Sequence, residues 1–315
     1  MLGHLLSWDS RMAYVYLAAT LLLVYGLWIY RGRPGTFLRW VFPLSVYLHR
    51  SNLVDFKIFI FNTVIGVLGV FAAIGFTTAM AHGTMNVLAN WFASHDLPAT
   101  VTFWRSALAT LIMVLTLDFC KYWAHYIHHE NRFLWPFHAV HHSAEVLTPL
   151  TAYRNHPVFL LIRNLIYSVV VGIVQGIMLF VLLGEISLIT IGSANVGYVV
   201  FNMLGSNLRH SHIWLSYGSV IEHILISPAQ HQIHHSSAPR HHNKNYGEVF
   251  AFWDWMFGTL YIPKEHESLE FGIADARGNL VEQPHPTLLA ALFQPFADSW
   301  NSRRPQKNPR QTELE

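Results

Sequence analysis

Long uncharged apolar runs alternate with short polar segments along the first two thirds of this 315-residue chain. The first run, residues 12–30, ends at Arg31 and Arg33 and is long enough to cross a hydrocarbon core of about 30 Å as a helix. It is too long for the apolar region of a signal peptide, and no small-residue cleavage site follows it. We therefore expect this run to stay in place as a membrane anchor.

Four further apolar runs follow, and they cover residues 58–81, 106–117, 158–183 and 186–204. Only Arg163 and Asn164 interrupt the run 158–183. Gly184 and Glu185 predict a tight turn before the last run, so the final two runs are either two crossings or a re-entrant pair. The pattern predicts an all-α protein with about four or five membrane helices.

The basic residues predict how these helices are oriented, because Lys and Arg accumulate on the cytoplasmic side of a membrane. Residues 82–100 contain neither Lys nor Arg. The loop after the first helix is instead flanked by Arg31, Arg33, Arg39, Arg50 and Lys57. The amino terminus is therefore predicted to lie outside. Five crossings then place every histidine-rich segment on the cytoplasmic side, in a helical cap.

Composition supports the membrane interpretation and excludes other classes. Charged residues make up 12% of the chain, against about 25% in an ordinary soluble domain. The net charge of +2 is too small to indicate a nucleic-acid partner. The single cysteine, Cys120, excludes a disulfide framework or a thiolate-bound cluster within the chain. We expect one domain over residues 1–300, with its histidine-rich region at about 118–260, and a disordered polar tail at 301–315.

Histidine is the unusual residue here: 15 of the 21 histidines lie between His125 and His242. They recur at helical spacings of three and four residues, which place imidazoles on one face of a helix. The three boxes are His125 with His129, then His138, His141 and His142, and finally His231, His234 and His235. Eight imidazoles exceed what one four- to six-coordinate ion can take, so the boxes predict two metal ions.

Two other interpretations of the boxes compete with metal binding. Histidines that only pack in the core would cost about 1 to 3 kcal/mol for each buried nitrogen left without a partner. A pH sensor would make the repeated spacing a coincidence. Imidazole binds zinc, copper, iron and nickel, so the ligand type alone does not select the metal. The chain has no GxSxG elbow or Ser-His-Asp order of a serine hydrolase.

The boxes stand in a longer pattern that resembles the fatty acid hydroxylase / sterol desaturase superfamily. The shared residues run from Asp118 through the first two boxes to Ser143, then from Pro228 to Ser236, and on through Asn245-Tyr246-Gly247 to Thr259. The resemblance implies a membrane-bound, non-haem di-iron enzyme that oxidises a lipid with dioxygen and external electrons. Zinc could replace iron in a purified sample.

The resemblance also implies which residues hold the metal. These are the eight box histidines together with His210, in Leu208-Arg209-His210-Ser211, and His156, in His156-Pro157; the last two could instead orient another imidazole. The chain departs from the family at Tyr126, where Arg is frequent, and at Asn243-Lys244, where Asp is frequent. Neither departure removes an inferred ligand.

We therefore expect a lipid hydroxylase or desaturase whose substrate enters from the bilayer. The chain carries no GxGxxG fingerprint, haem-binding domain or cysteine cluster, so we expect a separate electron-transfer protein as partner. The lipid could be sterol-like, a fatty acyl group, an ether lipid or a carotenoid. Two alternatives remain open at this point: a metal-dependent lipid hydrolase, and a non-catalytic metal-binding membrane protein.

Overall fold

The computed structural model describes residues 13–69, 74–92, 102–183, 203, 205–275 and 277–302. Helices dominate these residues, and their only β-structure consists of three isolated bridges, such as Leu225 with Phe250. The predicted all-α class is confirmed for this part of the chain. Its helices are α1 Tyr14–Tyr30, α2 Phe37–Val41, α3 Leu44–Tyr47, α4 Arg50–Val67, α5 Ile74–Trp91, α6 Phe103–Glu130, α7 Trp135–His142, α8 Pro157–Met178, α9 Pro228–His234, α10 Phe252–Phe257 and α11 Leu288–Asn301.

Two described helical segments are long and apolar enough to cross a membrane: Phe103–Glu130, which is α6, and Pro157–Leu182, which is α8 with its continuation. Large apolar side chains on both segments point outward, among them Leu111 and Leu165, each 55% exposed. Outward apolar faces of this length are unfavourable in water and favourable in lipid. Helix α1 is apolar as well, but shorter. These segments support membrane association.

The run 58–81 does not form one continuous helix, because two helices share it. Helix α4 ends at Val67 and α5 begins at Ile74. Gly69 follows the end of α4 with a φ of 79°, the left-handed conformation that commonly terminates helices. Apolar composition alone cannot reveal such an end. The last predicted run, 186–204, lies outside the described residues apart from Met203.

Two glycines on α8 allow α5 to pack closely against it. Gly172 and Gly176 are four residues apart and therefore lie on one face of the helix. A Cβ atom on Gly172 would lie 2.6 Å from the Cβ of Met80, and one on Gly176 would lie 2.5 Å from the carbonyl oxygen of Ala81. This is the small-residue spacing that brings membrane helices together. It helps fix α8 beside the histidine-bearing helices.

A fully buried ion pair holds the carboxyl end of α7 in place. Arg154 donates to Oδ1 of Asp55 on α4 at 2.8 Å, to the carbonyl oxygen of Val140 at 2.7 Å and to the Ser143 hydroxyl at 2.9 Å. His285 also bonds to that hydroxyl, at 3.0 Å. A buried ion pair is tolerated when hydrogen bonds satisfy its remaining groups, as they do here. The network therefore fixes the helix that carries the second histidine box.

Candidate metal centre

The first two boxes are brought together by a short turn between α6 and α7. His125 and His129 lie on the last two turns of α6. The side chain of Asn131 accepts hydrogen bonds from the amides of Phe133 and Leu134, which stabilises the turn. Helix α7 then begins at Trp135 with a proline in its first turn and carries His138, His141 and His142. The chain reversal makes the two boxes face each other.

The third box lies on α9, whose start is defined by a capping box. Ser227 accepts from the amide of Gln230, and the Gln230 side chain accepts from the amide of Ser227. Glu222 is buried and accepts from the Ser227 hydroxyl at 2.6 Å, so it holds this cap in place. His231 and His234 follow on this helix, and His235 is its C-cap residue.

The structure sorts nine histidines into two adjacent groups. In each group the nitrogens that could bind metal all lie within 4.8 Å of one another. The first histidine group is His125, His129, His138, His142 and His234, and the second histidine group is His141, His210, His231 and His235. Each adjacent pair of box residues is thus divided between the groups: His141 from His142, and His234 from His235.

The spacing within each group fits a metal ion. Facing Nε2 atoms lie 3.1 to 3.3 Å apart in the pairs His129–His142, His138–His142, His141–His210, His210–His231 and His231–His235. Imidazole nitrogens about 2.0 to 2.1 Å from one ion are separated by about 2.8 to 3.4 Å along the edges of an octahedron or a tetrahedron. The observed distances fall in this range.

Backbone carbonyls fix the orientation of two rings in the first histidine group. Nδ1 of His125 donates to the carbonyl oxygen of Tyr246 at 2.8 Å, and Nδ1 of His234 donates to that of Lys244 at 2.7 Å. The proton therefore sits on Nδ1, and the lone pair of each Nε2 faces the group. Both Nε2 atoms are buried without a hydrogen-bond partner in the structure. A bound cation would satisfy them.

The loop that offers these carbonyls has an uncommon backbone. Asn243 and Asn245 have φ values of 58° and 57°, in the left-handed region that asparagine tolerates better than most residues. The side chain of Asn245 donates to the carbonyl oxygen of Gln230 and accepts from the amide of Tyr261. These bonds hold the strained conformation, and the loop presents the alternate carbonyls of Lys244 and Tyr246 to His234 and His125. The sequence motif drew attention to this loop but not to the role of its backbone.

Asp254 supports the same loop from behind. Its carboxylate accepts from the amides of Tyr246 and Gly247, both at 2.8 Å, and from the Thr259 hydroxyl at 2.6 Å. Burial raises the pKa of Asp254 to about 6 despite these bonds. Sequence reasoning missed this residue. Its position in the Trp253-Asp254 pair of the family pattern was the available signal.

Burial keeps the clustered imidazoles neutral. It lowers the pKa of His141 to about 3, and neighbouring imidazoles add to the effect. Burial, together with the neighbouring imidazoles, also lowers the pKa well below its ordinary value for five other histidines: His138, His142, His231, His234 and His235. Neutral rings that aim their lone pairs at one point are the donor set that a metal requires. The residues therefore fit two metal ions.

Not every predicted ligand reaches the two groups. His210 does, since its Nε2 faces those of both His141 and His231. His156 does not: its Nδ1 accepts from the amide of Val158 and its Nε2 donates to the carbonyl oxygen of Leu292. Both nitrogens are used, and His156 serves as the N-cap of α8. The geometry therefore assigns it a structural role.

A cavity of about 670 Å³ opens onto both histidine groups. Helices α4, α6 and α8 form its walls, with apolar side chains such as Phe59, Val67 and Leu160. His125 and His138 of the first group reach it, as do His141, His210 and His231 of the second group. The apolar part of this wall, next to the grouped histidines, is suited to a lipid chain.

Comparison with known proteins agrees with this site. The family model for fatty acid hydroxylase matches residues 110–259, which contain all nine grouped histidines. Over this region, the resemblance to the fatty acid hydroxylase / sterol desaturase superfamily that the histidine boxes indicated is confirmed.

Three similar proteins show the range of that superfamily. Ornithine lipid hydroxylase OlsE of Rhizobium tropici is 29% identical over 78% of this chain and 66% of its own length. Alkylglycerol monooxygenase of Danio rerio is 29% identical over 56% of this chain and 35% of its own length. Delta(7)-sterol 5(6)-desaturase ERG3A of Gibberella zeae is 27% identical over 51% of this chain and 40% of its own length. The chain thus matches less than two thirds of each relative, and no solved structure matches it.

Proposed function

We propose that this protein is a membrane-bound, O₂-dependent lipid hydroxylase with two iron ions. One observation carries the proposal: nine imidazoles, seven of them buried, form two adjacent groups beside a cavity that has apolar side chains in its wall. Relatives that share the region of these histidines are named as hydroxylases or monooxygenases of lipids. We infer the same class of reaction for this chain.

The first histidine group would hold one ion and the second histidine group the other. When bound, a pair of non-haem iron ions supplies dioxygen activation and the removal of hydrogen from an unreactive C–H bond. The balanced reaction converts RH, O₂, two electrons and two protons into ROH and H₂O. A separate electron-transfer protein provides the electrons. Zinc would occupy the groups without supporting this redox chemistry.

The protein's own residues position the lipid and exclude water. Phe59, Val67 and Leu160 line the route to the histidines and favour an acyl or alkyl chain over solvent. Phe159 stacks on His138 with ring centroids 4.7 Å apart, so it closes the apolar wall directly against the first histidine group. The Tyr246 hydroxyl donates to Glu130 at 2.9 Å, so its proton is held by that carboxylate.

The helix arrangement is consistent with a site at one membrane surface. His125 and His129 lie at the carboxyl end of α6, and His156 caps the amino end of α8. Phe159, in the first turn of α8, stacks on His138, so the carboxyl end of α6 and the amino end of α8 both lie next to the site. We place these ends on the cytoplasmic side because of the distribution of Lys and Arg, with the lipid entering laterally from the bilayer.

The proposal can be tested with purified protein in lipid nanodiscs, loaded with iron and supplied with a chemical reductant. We expect a lipid product heavier by one oxygen, labelled when ¹⁸O₂ is used. The variant His141→Ala should abolish the product and lower the bound iron. His223→Ala is the matched control, since this exposed histidine lies outside both groups.

Other outcomes would identify a different function. Loss of two hydrogens from the lipid would indicate desaturation, the reaction named for the Gibberella zeae relative. Product formation under strictly anaerobic conditions would indicate a hydrolase. Stable metal binding with no lipid product in the presence of O₂ and reductant would indicate a non-catalytic metal-binding protein.

A further inference from the structure

Arg163 is a cation in an apolar environment. It lies in the second turn of α8, within the segment Pro157–Leu182 that could cross a membrane, and it lines the cavity. Its guanidinium carbon is 5.6 Å from the ring centre of Phe159 and 5.8 Å from that of Tyr167. Its Nε is buried and has no hydrogen-bond partner in the structure. The aromatic faces hold the group without neutralising its charge.

No carboxylate within the described residues forms an ion pair with Arg163. The other pair at the cavity joins Lys121 to Glu248 at 3.3 Å, so that carboxylate already has a basic partner. A charged residue inside a membrane segment is costly unless it faces a partner or a polar cavity. Arg163 thus has no anionic partner among the described residues, and the cavity is where an anion from outside the protein could reach it.

The position of Arg163 relates this anion to the metal ligands. Phe159 contacts Arg163 on one side and stacks on His138, with 4.7 Å between ring centres, on the other. The sum of these two distances places the guanidinium carbon of Arg163 within about 10 Å of the centre of the His138 ring. An anion held by Arg163 therefore occupies the same cavity as the reacting carbon.

We propose that Arg163 binds the anionic headgroup of the lipid substrate, a phosphate or a carboxylate. The planar guanidinium can donate two parallel hydrogen bonds to either group. This proposal rests on the proposed function, and it specifies the substrate as an acidic or zwitterionic lipid. Because the headgroup site is so close to His138, the oxidised carbon lies near the headgroup end of the chain.

The test measures lipid binding and turnover separately in the iron-loaded full-length protein. Three lipids with identical acyl chains are compared: one with a phosphate headgroup, one with a carboxylate headgroup and the neutral diacylglycerol. Binding is followed by native mass spectrometry and turnover by product mass. The variants are Arg163→Gln and Arg163→Lys, with Arg132→Gln as the matched control. Arg132 also lies over a phenylalanine ring, that of Phe133, but it is exposed and outside the cavity.

We expect wild-type protein to bind at least one anionic lipid more tightly than diacylglycerol. Arg163→Gln should weaken that binding by about tenfold to a hundredfold, as expected for loss of charge-assisted hydrogen bonds, while leaving diacylglycerol binding and iron content unchanged. Arg163→Lys should recover part of the loss, and Arg132→Gln should behave as wild type. The phosphate and carboxylate arms identify which headgroup is recognised.

Equal binding of all three lipids by wild type and Arg163→Gln would overturn the proposal. So would a variant that binds anionic lipid normally but loses iron, because Arg163 would then act on the metal site. If anionic lipid binds in an Arg163-dependent manner but no lipid is oxidised, the headgroup site stands and the proposed function fails. The two claims can therefore fail separately.

Discussion

Replacing Asp254 by Asn tests how the loop behind the first histidine group supports it. The two carboxylate oxygens of Asp254 accept from three donors: the amides of Tyr246 and Gly247 and the Thr259 hydroxyl. Asparagine has almost the same shape but puts an NH₂ group in place of one oxygen. In either orientation the NH₂ faces a backbone amide, so at least one buried N–H loses its acceptor.

The size of the effect follows from these contacts. A buried donor without an acceptor costs about 1 to 3 kcal/mol. The Tyr246 carbonyl oxygen accepts from Nδ1 of His125 at 2.8 Å, so a shift of this loop also releases the ring of a metal ligand. Loss of such an outer contact typically lowers metal affinity by about 10-fold to 100-fold. The loop bonds to His125 and His234, which both belong to the first histidine group, so the second histidine group should keep its affinity.

The assay is a competition between the protein and a chelator for iron, combined with thermal unfolding in detergent. Asp254→Asn should release one iron per chain at a chelator concentration that leaves the other bound, and it should unfold at a lower temperature. Asp275→Asn is the matched control, because Asp275 also accepts from two backbone amides, those of Arg277 and Asn279, but is exposed. Iron retention and unfolding equal to this control would refute the role assigned to Asp254.

Three further changes test the framework. Arg154→Leu should destabilise the protein by about 3 to 5 kcal/mol because it leaves Asp55 buried without its partner, and the double variant with Asp55→Leu should unfold at a higher temperature than Arg154→Leu alone. Gly176→Ala should cost about 1 to 3 kcal/mol through its clash with α5, whereas Gly83→Ala, whose added Cβ meets nothing within 4 Å, should be neutral or stabilising in the same thermal assay. His156→Ala should lower stability by about 0.5 to 2 kcal/mol through loss of the α8 cap yet retain two iron ions by elemental analysis, and loss of an iron would instead show that His156 is a ligand.

Local spacing made the histidine boxes visible in the sequence. His138 and His142 lie one helical turn apart, as do His231 and His235, and helical periodicity alone brings each pair to one side of its helix. The division of adjacent histidines between two groups is not a local property. It depends on how α7 and α9 pack against α6, and only the three-dimensional arrangement shows that His142 joins His129 while His141 joins His210.

The features that the sequence could not show depend on the backbone or on distant contacts. His156 precedes a proline in a family motif, and nothing local distinguishes a ligand there from a helix cap. The end of α4 at Val67 lies within an apolar run, where hydropathy cannot detect a break. The carbonyl oxygens of Lys244 and Tyr246 accept hydrogen bonds from His234 and His125. These are main-chain atoms, and a pattern of side chains does not reveal their role.

The central claim is that two metal ions lie side by side, one in each histidine group. Elemental analysis and Mössbauer spectroscopy of ⁵⁷Fe-loaded protein test it most directly, with His129→Ala and His210→Ala as variants that each damage one group. We expect two iron ions per chain in the wild type, with nitrogen ligation, and loss of a different one in each variant. An active wild-type protein with one iron or none, or two variants that lose the same iron, would contradict the account.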